Sequence, residues 1–211
     1  SSPAANNLLK PALLPESALD EAFALHVAGF FAARGLEDGT LAAKLAYAQA
    51  KGVLTTLDPV GGSAHERRHA LYPLLPHLDI LLLNDDEGQK VTGKTTPEAM
   101  IESLLGYGVG TVILKQGVLG SIVAGKYGPL TIPAYPAKTI DGTGAGDAFA
   151  GTLLAALARG EEFSEAMHWA SAAGAATVEA IGATGSWRGW EALEAVRKRA
   201  GAARWKSEHS T

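Results

Sequence analysis

The residues best suited to chemistry lie together in Ile140-Asp141-Gly142-Thr143-Gly144-Ala145-Gly146-Asp147-Ala148-Phe149. Glycines at alternate positions, 142, 144 and 146, let a backbone turn tightly and aim its N–H groups at one point. The following run, Ala148 to Arg159, is strongly helical in composition. The turn therefore stands at a helix N-terminus, with unpaired N–H groups and a positive dipole end. Such an arrangement holds an anion, most naturally a phosphate. Asp147 follows at once. A carboxylate beside a phosphate repels it unless it has a task there, and the task that fits is accepting a proton from a hydroxyl that attacks the phosphate. The competing structural reading is a Gly-rich strand-to-helix turn with Asp147 as an ordinary N-cap. Two rival phosphate motifs fail on residue type. No Gly-Lys-Ser/Thr ends a Walker A loop, and a dinucleotide fingerprint starting at Gly144 needs glycine where Phe149 stands.

Three further groups carry chemical residue types. Asn84-Asp85-Asp86-Glu87 follows an apolar run, and such a cluster can hold Mg2+ through waters near phosphates. It reads equally as an N-cap with an acidic first turn. Lys115-Gln116-Gly117-Val118-Leu119-Gly120 ends another apolar run, and its glycines allow a flat ligand close to the backbone or a simple turn. His65-Glu66-Arg67-Arg68-His69 has the zincin spacing, with two histidines on one helix face and a glutamate between them. Glu87 is the one tempting third ligand. Two arginines would oppose a zinc ion there, and Gly61-Gly62-Ser63 and Pro73 confine any helix, so a polar connecting helix is favoured over a zinc hydrolase.

The elements that position these groups alternate. Apolar runs at Leu25–Phe31, Val53–Leu57, Leu78–Leu83 and Gly110–Lys115 predict strands. Asp38–Lys51, with Leu41, Leu45 and Ala48 on one face and Gly52 as stop, predicts a helix. Thr96-Pro97-Glu98 opens another, to Tyr107. Ser121–Ala124 and Leu130–Ala134 read as an antiparallel pair. Helices are expected over 145–159, Phe163–Ile181 and Trp190–Ala203, and residues 1–16 read as a loop. The expectation is an α/β chain of one domain, residues 1–211, Rossmann-like, with a mostly parallel sheet and helices on both faces. Ligands bind beyond the strand C-termini of such sheets, where Asp58 and Asn84 fall.

Asp141-Gly142-Thr143-Gly144-Ala145-Gly146-Asp147-Ala148-Phe149 resembles the C-terminal signature of the ribokinase-like (PfkB) carbohydrate kinases, with Gly142 where that family usually has threonine. The likeness covers roughly residues 20 to 200. It implies a ribokinase-like fold and transfer of the ATP γ-phosphoryl to a hydroxyl of a sugar or sugar-like molecule. By the resemblance, Asp147 is the base and the N–H groups of Gly144, Ala145 and Gly146 form the anion hole. Asn84 and Glu87 match an Asn-x-x-Glu motif associated with Mg2+, which leaves Asp85 and Asp86 as solvated helix-start charges. Lys115, Gly117, Gly120 and Thr143 match nucleotide-side positions. Ser171 falls where a late helix faces adenine, and reads equally as helix packing. A K+ ion is implied beside the anion hole at Asp141, Thr143, Ala180, Gly182 and Ser186, mostly through carbonyls. The first βαβ region, the Gly-Gly sugar segment and the lid of such kinases do not appear, which leaves a non-catalytic nucleotide-binding fragment as the alternative.

Composition bounds the partners. The chain has 211 residues, a net charge of -4 and no cysteine. This gives no nucleic-acid footprint and no disulfide or thiolate metal site, and it fits a cytoplasmic protein. The apolar runs are strand-sized, so no membrane span is expected. No signal peptide is visible, and the opening Ser1-Ser2-Pro3 without methionine reads as a processed, tagged or truncated product. A homodimer stays open, and the acceptor is unnamed.

Overall fold

Short aliphatic runs, each closed by a polar or turn-forming residue, build the strands. The computed structural model describes residues 5–60, 64–184 and 189–208. Its strands are β1 (Ala24–Ala28), β2 (Leu54–Asp58), β3 (Ile80–Asn84), β4 (Thr111–Lys115), β5 (Ser121–Gly125) and β6 (Leu130–Ile132), in one sheet in chain order. β1 to β4 run parallel, with Ala28 level with Asp58 and Asn84 level with Lys115. The connection between β5 and β6 is too short for a parallel crossover, so these neighbours form a hairpin. The helices are α1 (Leu41–Ala50), α2 (Ala64–Leu71), α3 (Asp85–Thr92), α4 (Pro97–Gly106), α5 (Ala145–Ala158), α6 (Phe163–Thr177) and α7 (Trp190–Glu208). The expected mixed α/β architecture is present.

The chain forms two compact units. The first holds the residues up to Gln116 together with Ile122–Leu130, and the second holds Gly117–Ser121 with the residues from Thr131 onward. In the first, Leu57, Leu81, Leu83, Val112 and Leu114 of the sheet meet Leu41 and Leu45 of α1, Leu75, and Leu104 of α4 in one buried cluster. Each such side chain contributes about 1.5–3 kcal/mol by leaving water. β3 and β4 are apolar over Ile80–Leu83 and Val112–Leu114, where the strands are buried. In the second unit, small residues bring α5 against α6. A Cβ on Gly174 would lie 3.6 Å from the Ala145 carbonyl oxygen. Ala172, Ala173, Leu193 and Val196 join α6 to α7, flanked by Trp169 and Trp190.

Several boundaries differ from the sequence expectation for local reasons. β1 stops at Ala28 because Gly29 takes φ +66°, and Phe30 and Phe31 then turn inward on a short 3-10 helix, both buried. α1 starts at Leu41 because the Asp38 side chain accepts from the Thr40 N–H and hydroxyl and holds the preceding turn. α6 stops at Thr177, short of Ile181, because the residues beyond it are used by another loop. The N-terminal stretch expected as loop forms 3-10 turns at Asn6–Leu8, Pro11–Leu13 and Glu16–Ala18. Thr96 caps α4 as expected, its hydroxyl accepting from the Ala99 N–H.

Candidate functional site

In the first unit, Asp58, Asn84 and Lys115 close three adjacent parallel strands. Continuing the register by one residue sets Asp58 level with Leu82, which pairs with Ile113. Asn84 and Lys115 stand two residues further along, so all three side chains leave the same face of the sheet. The Lys115 ammonium reaches back and donates to Asp58 Oδ2 at 2.7 Å. Asp58 is 2% exposed, and its Oδ1 is buried without a hydrogen-bond partner among the described residues.

Asn84 and Glu87 form a capping box at the start of α3. The Asn84 side chain accepts from the Glu87 N–H at 2.9 Å, and Glu87 Oε2 accepts from the Asn84 N–H at 2.8 Å. Burial pushes the Glu87 carboxyl above its ordinary value. The Asn84 N–H and the Lys115 charge oppose that rise, and the charges of Asp58 and Asp86 add to it. Glu87, Asp58 and Lys115 are thus electrostatic neighbours. Asp85 accepts from Gln116 at 3.2 Å and Asp86 pairs with Lys90 one turn on, so both helix-start charges have partners. The oxygens here are hard donors that suit Mg2+. Among the described residues, no group of three or more His, Asp or Glu side chains is arranged to hold a metal ion. Asn84 and Glu87 alone would not complete a metal shell, so a Mg2+ ion held here would need waters or other ligands.

In the second unit, Gly144 is the N-cap of α5, with φ +79°. A Cβ on it would stand 2.6 Å from Ala183 Cβ and 2.7 Å from Ala183 Cα. Glycine is required there twice, by conformation and by space. Asp147 is therefore not the N-cap. It lies in the first helical turn, exposed, with no side-chain bond to the helix start. The Ala145 N–H makes a long bond of 3.3 Å to the Gly142 carbonyl, and the N–H groups of Gly144 and Gly146 have no partner among the described residues. Unbonded N–H groups at the positive end of α5 are what an anion cradle at this turn would require.

Asp141 holds this loop in place. Its Oδ1 accepts from the Thr143 N–H at 2.9 Å and the Thr143 hydroxyl at 2.7 Å, and its Oδ2 accepts from the Gly182 N–H at 2.9 Å. The N–H groups of Ile140 and Asp141 both donate to the Val178 carbonyl. The Thr143 hydroxyl, then the Gly182 and Thr143 N–H groups, keep the Asp141 carboxyl below its ordinary value. The turn after α6 is thus tied to the loop before α5. Asp141→Ala should remove all three side-chain bonds. Amide exchange at Thr143 and Gly182 should then speed up while amides of β3 keep their protection, as native-state hydrogen exchange would show. Unchanged exchange at Gly182 would contradict this role.

The remaining sequence-derived residues fall as follows. Gly117 and Gly120 bracket a 3-10 turn with φ of +56° and +94°, and a Cβ on Gly120 would meet the Ile132 carbonyl oxygen at 2.1 Å. Gly117 has a conformational reason and Gly120 a conformational and a packing one, each independent of any ligand. Lys115 is engaged by Asp58. The Ser171 hydroxyl donates to the Pro133 carbonyl at 2.9 Å, in line with the packing reading. Asp141, Thr143 and Gly182 come together, Ala180 lies in the same turn with its N–H on the Thr177 carbonyl, and Ser186 lies outside the described residues. α2 does form, so positions 65 and 69 share a helix face, but the side chains of His65 and Glu66 lie outside those described. The His69 ring meets Tyr72 edge-on, and Arg67 binds Glu37 and the Phe31 carbonyl. Glu87, the third zinc ligand considered, is held in its capping box. Sequence reasoning missed the Lys115–Asp58 pair and the Asp141–Gly182 bond. Each joins residues far apart in the chain and leaves no local signal.

Comparison with known proteins agrees with this geometry. The pattern described as pfkB family carbohydrate kinase matches residues 1–189. The chain is 28% identical over 136 residues to an ATP-dependent 6-phosphofructokinase from Thermoanaerobacterium thermosaccharolyticum, a match covering 62% of this chain and 42% of that protein. It is 31% identical over 145 residues to a ribokinase from Staphylococcus aureus, covering 66% of this chain and 46% of the relative. The chain thus spans about half the length of the curated relatives it matches. An E. coli protein assigned as a ribokinase II, solved in complex with ATP and Mg2+, superimposes with a TM-score of 0.78 at 26% identity, over 90% of this chain and 63% of its own. A family pattern that matches residues 1–189 places the chain in the pfkB family of carbohydrate kinases.

Proposed function

We propose that the protein carrying this chain is an ATP-dependent phosphotransferase that moves the γ-phosphoryl group to a hydroxyl of a sugar or sugar-like small molecule. The observation that carries the reading is the exposed Asp147 in the first turn of α5, beside Gly144 and Gly146, whose N–H groups have no partner among the described residues. In this reading Asp147 takes the proton of the acceptor hydroxyl. The acceptor oxygen forms a bond to the γ-phosphorus, the bond from that phosphorus to the bridging oxygen breaks, and ADP leaves. The N–H groups of Gly144, Ala145 and Gly146 meet the charge on the transferring oxygens and stabilise it where it grows. Asp141 and Thr143 keep those donors in place. Asn84 and Glu87 would hold Mg2+ through waters, and the ion would supply charge neutralisation to the phosphates. ATP and Mg2+ are supported by the E. coli relative solved with both. The relatives' names include a ribokinase, a 6-phosphofructokinase and a cytidine kinase, so they support a hydroxyl acceptor without choosing one.

A second reading is favoured by the share of the relatives that the chain spans: this chain alone binds nucleotide without turning it over. ADP release can be followed across ribose, ketohexoses, sugar acids and nucleosides, for this chain and for the longest form of the protein in its source. The first reading expects acceptor-dependent ADP in equal amount to a phosphorylated product. The second expects ATP binding by the chain and turnover only by the longer form. ATP binding with acceptor-independent turnover, or none in either form, would overturn the kinase assignment.

A further inference from the structure

The Asp58–Lys115 pair is not used by the reaction described above. Asp58 is buried, one of its oxygens takes the Lys115 ammonium at 2.7 Å, and the other has no partner among the described residues. A second buried carboxylate, Glu87, is tied by its capping box to Asn84, which stands level with Lys115. Two buried carboxylates gathered around one strand end would draw in a divalent cation. Here one ammonium already sits on Asp58, and its charge would repel a second cation arriving at Glu87. The lysine is held there by the fold. It stands at the end of β4, level with Asn84, on the face of the sheet shared with Asp58.

We propose that Lys115 is a resident counter-ion for Asp58, keeping this carboxylate from joining Glu87 around a divalent cation, so that the protein takes up its metal with the phosphates of a nucleotide rather than before them. The part concerning nucleotide rests on the kinase reading. The part concerning Lys115 and Asp58 does not, and it is tested with no nucleotide or acceptor present.

The measurement is Mn2+ binding to the intact chain in phosphate-free buffer, read from the electron paramagnetic resonance signal of free Mn2+. Lys115→Met removes the ammonium. Lys115→Gln removes the charge but keeps a donor for Asp58, which guards against a variant that fails to fold, and circular dichroism checks each protein. Both should bind Mn2+ roughly 10–100-fold more tightly than the wild type. The double variant Asp58→Asn/Lys115→Met should lose that gain, which shows that it passes through Asp58. Folded Lys115 variants that bind no better than the wild type would overturn the proposal, as would a gain that survives in the double variant. A wild type that already binds tightly and is weakened by Asp58→Asn would make Asp58 a working ligand, and would overturn it too. A protein failing this titration can still be a kinase, and one that phosphorylates nothing can still pass it.

Discussion

Replacing Asp147 with asparagine should lower kcat by about 10²–10⁴-fold, the usual weight of a general base, and leave the KM for ATP close to that of the wild type. The side chain is exposed in the first turn of α5 and makes no bond to the helix start, so an amide of the same shape disturbs no packing. What changes is proton affinity. The carboxylate is suited to the positive end of α5 and can accept a proton. The amide cannot. Steady-state kinetics with a separate calorimetric measurement of ATP affinity gives both quantities. Wild-type turnover in the variant would end the base assignment. A parallel loss of ATP affinity would move Asp147 from proton transfer to binding.

The second large effect concerns the glycines before it. Gly144→Ala should destabilise the protein by about 1–3 kcal/mol, the range for a residue forced into a disfavoured backbone region, and lower kcat by about 10²–10³-fold as cradle donors move. The added Cβ meets the Cβ and Cα of Ala183, which cannot swing aside as the end of a long side chain would. Gly142→Thr restores the residue that the resemblance would place there and should behave oppositely. Nothing lies within 4 Å of a Cβ at Gly142, and its φ is not positive. Its stability should stay within about 0.5 kcal/mol of the wild type, with turnover retained. Thermal melts and kinetics on the two variants settle the contrast. Equal losses at 142 and 144 would show that the loop is not held as described.

The strands were readable because their burial is simple. Ile80, Leu81, Leu82 and Leu83 are all fully buried, so an unbroken apolar run and a buried strand coincide. The glycine turn before α5 was readable for a similar reason, since glycine spacing before a helical run is a local signal. What escaped was set by distant partners. Phe163–Ile181 has helical composition throughout, yet the helix stops at Thr177 because the Val178 carbonyl takes the Ile140 and Asp141 N–H groups, and Gly182 donates to Asp141. The competing reading of Asp147 as an N-cap fails, because Gly144 holds that place and only glycine fits against Ala183. Lys115 read as a nucleotide-side residue, and nothing near it in the chain announces Asp58.

The capping box at α3 changes what residue identity can prove. Asn84 and Glu87 together cap that helix, whatever else they do. A cap contributes about 0.5–2 kcal/mol with or without phosphoryl transfer, so finding both in a sequence says little about whether it is active. Asp147 is the opposite case. No bond to the helix start holds it and it fills no space in the core, so the fold would tolerate many residues there. Sorting working kinases from silent copies in this family should rest on position 147 before 84 or 87.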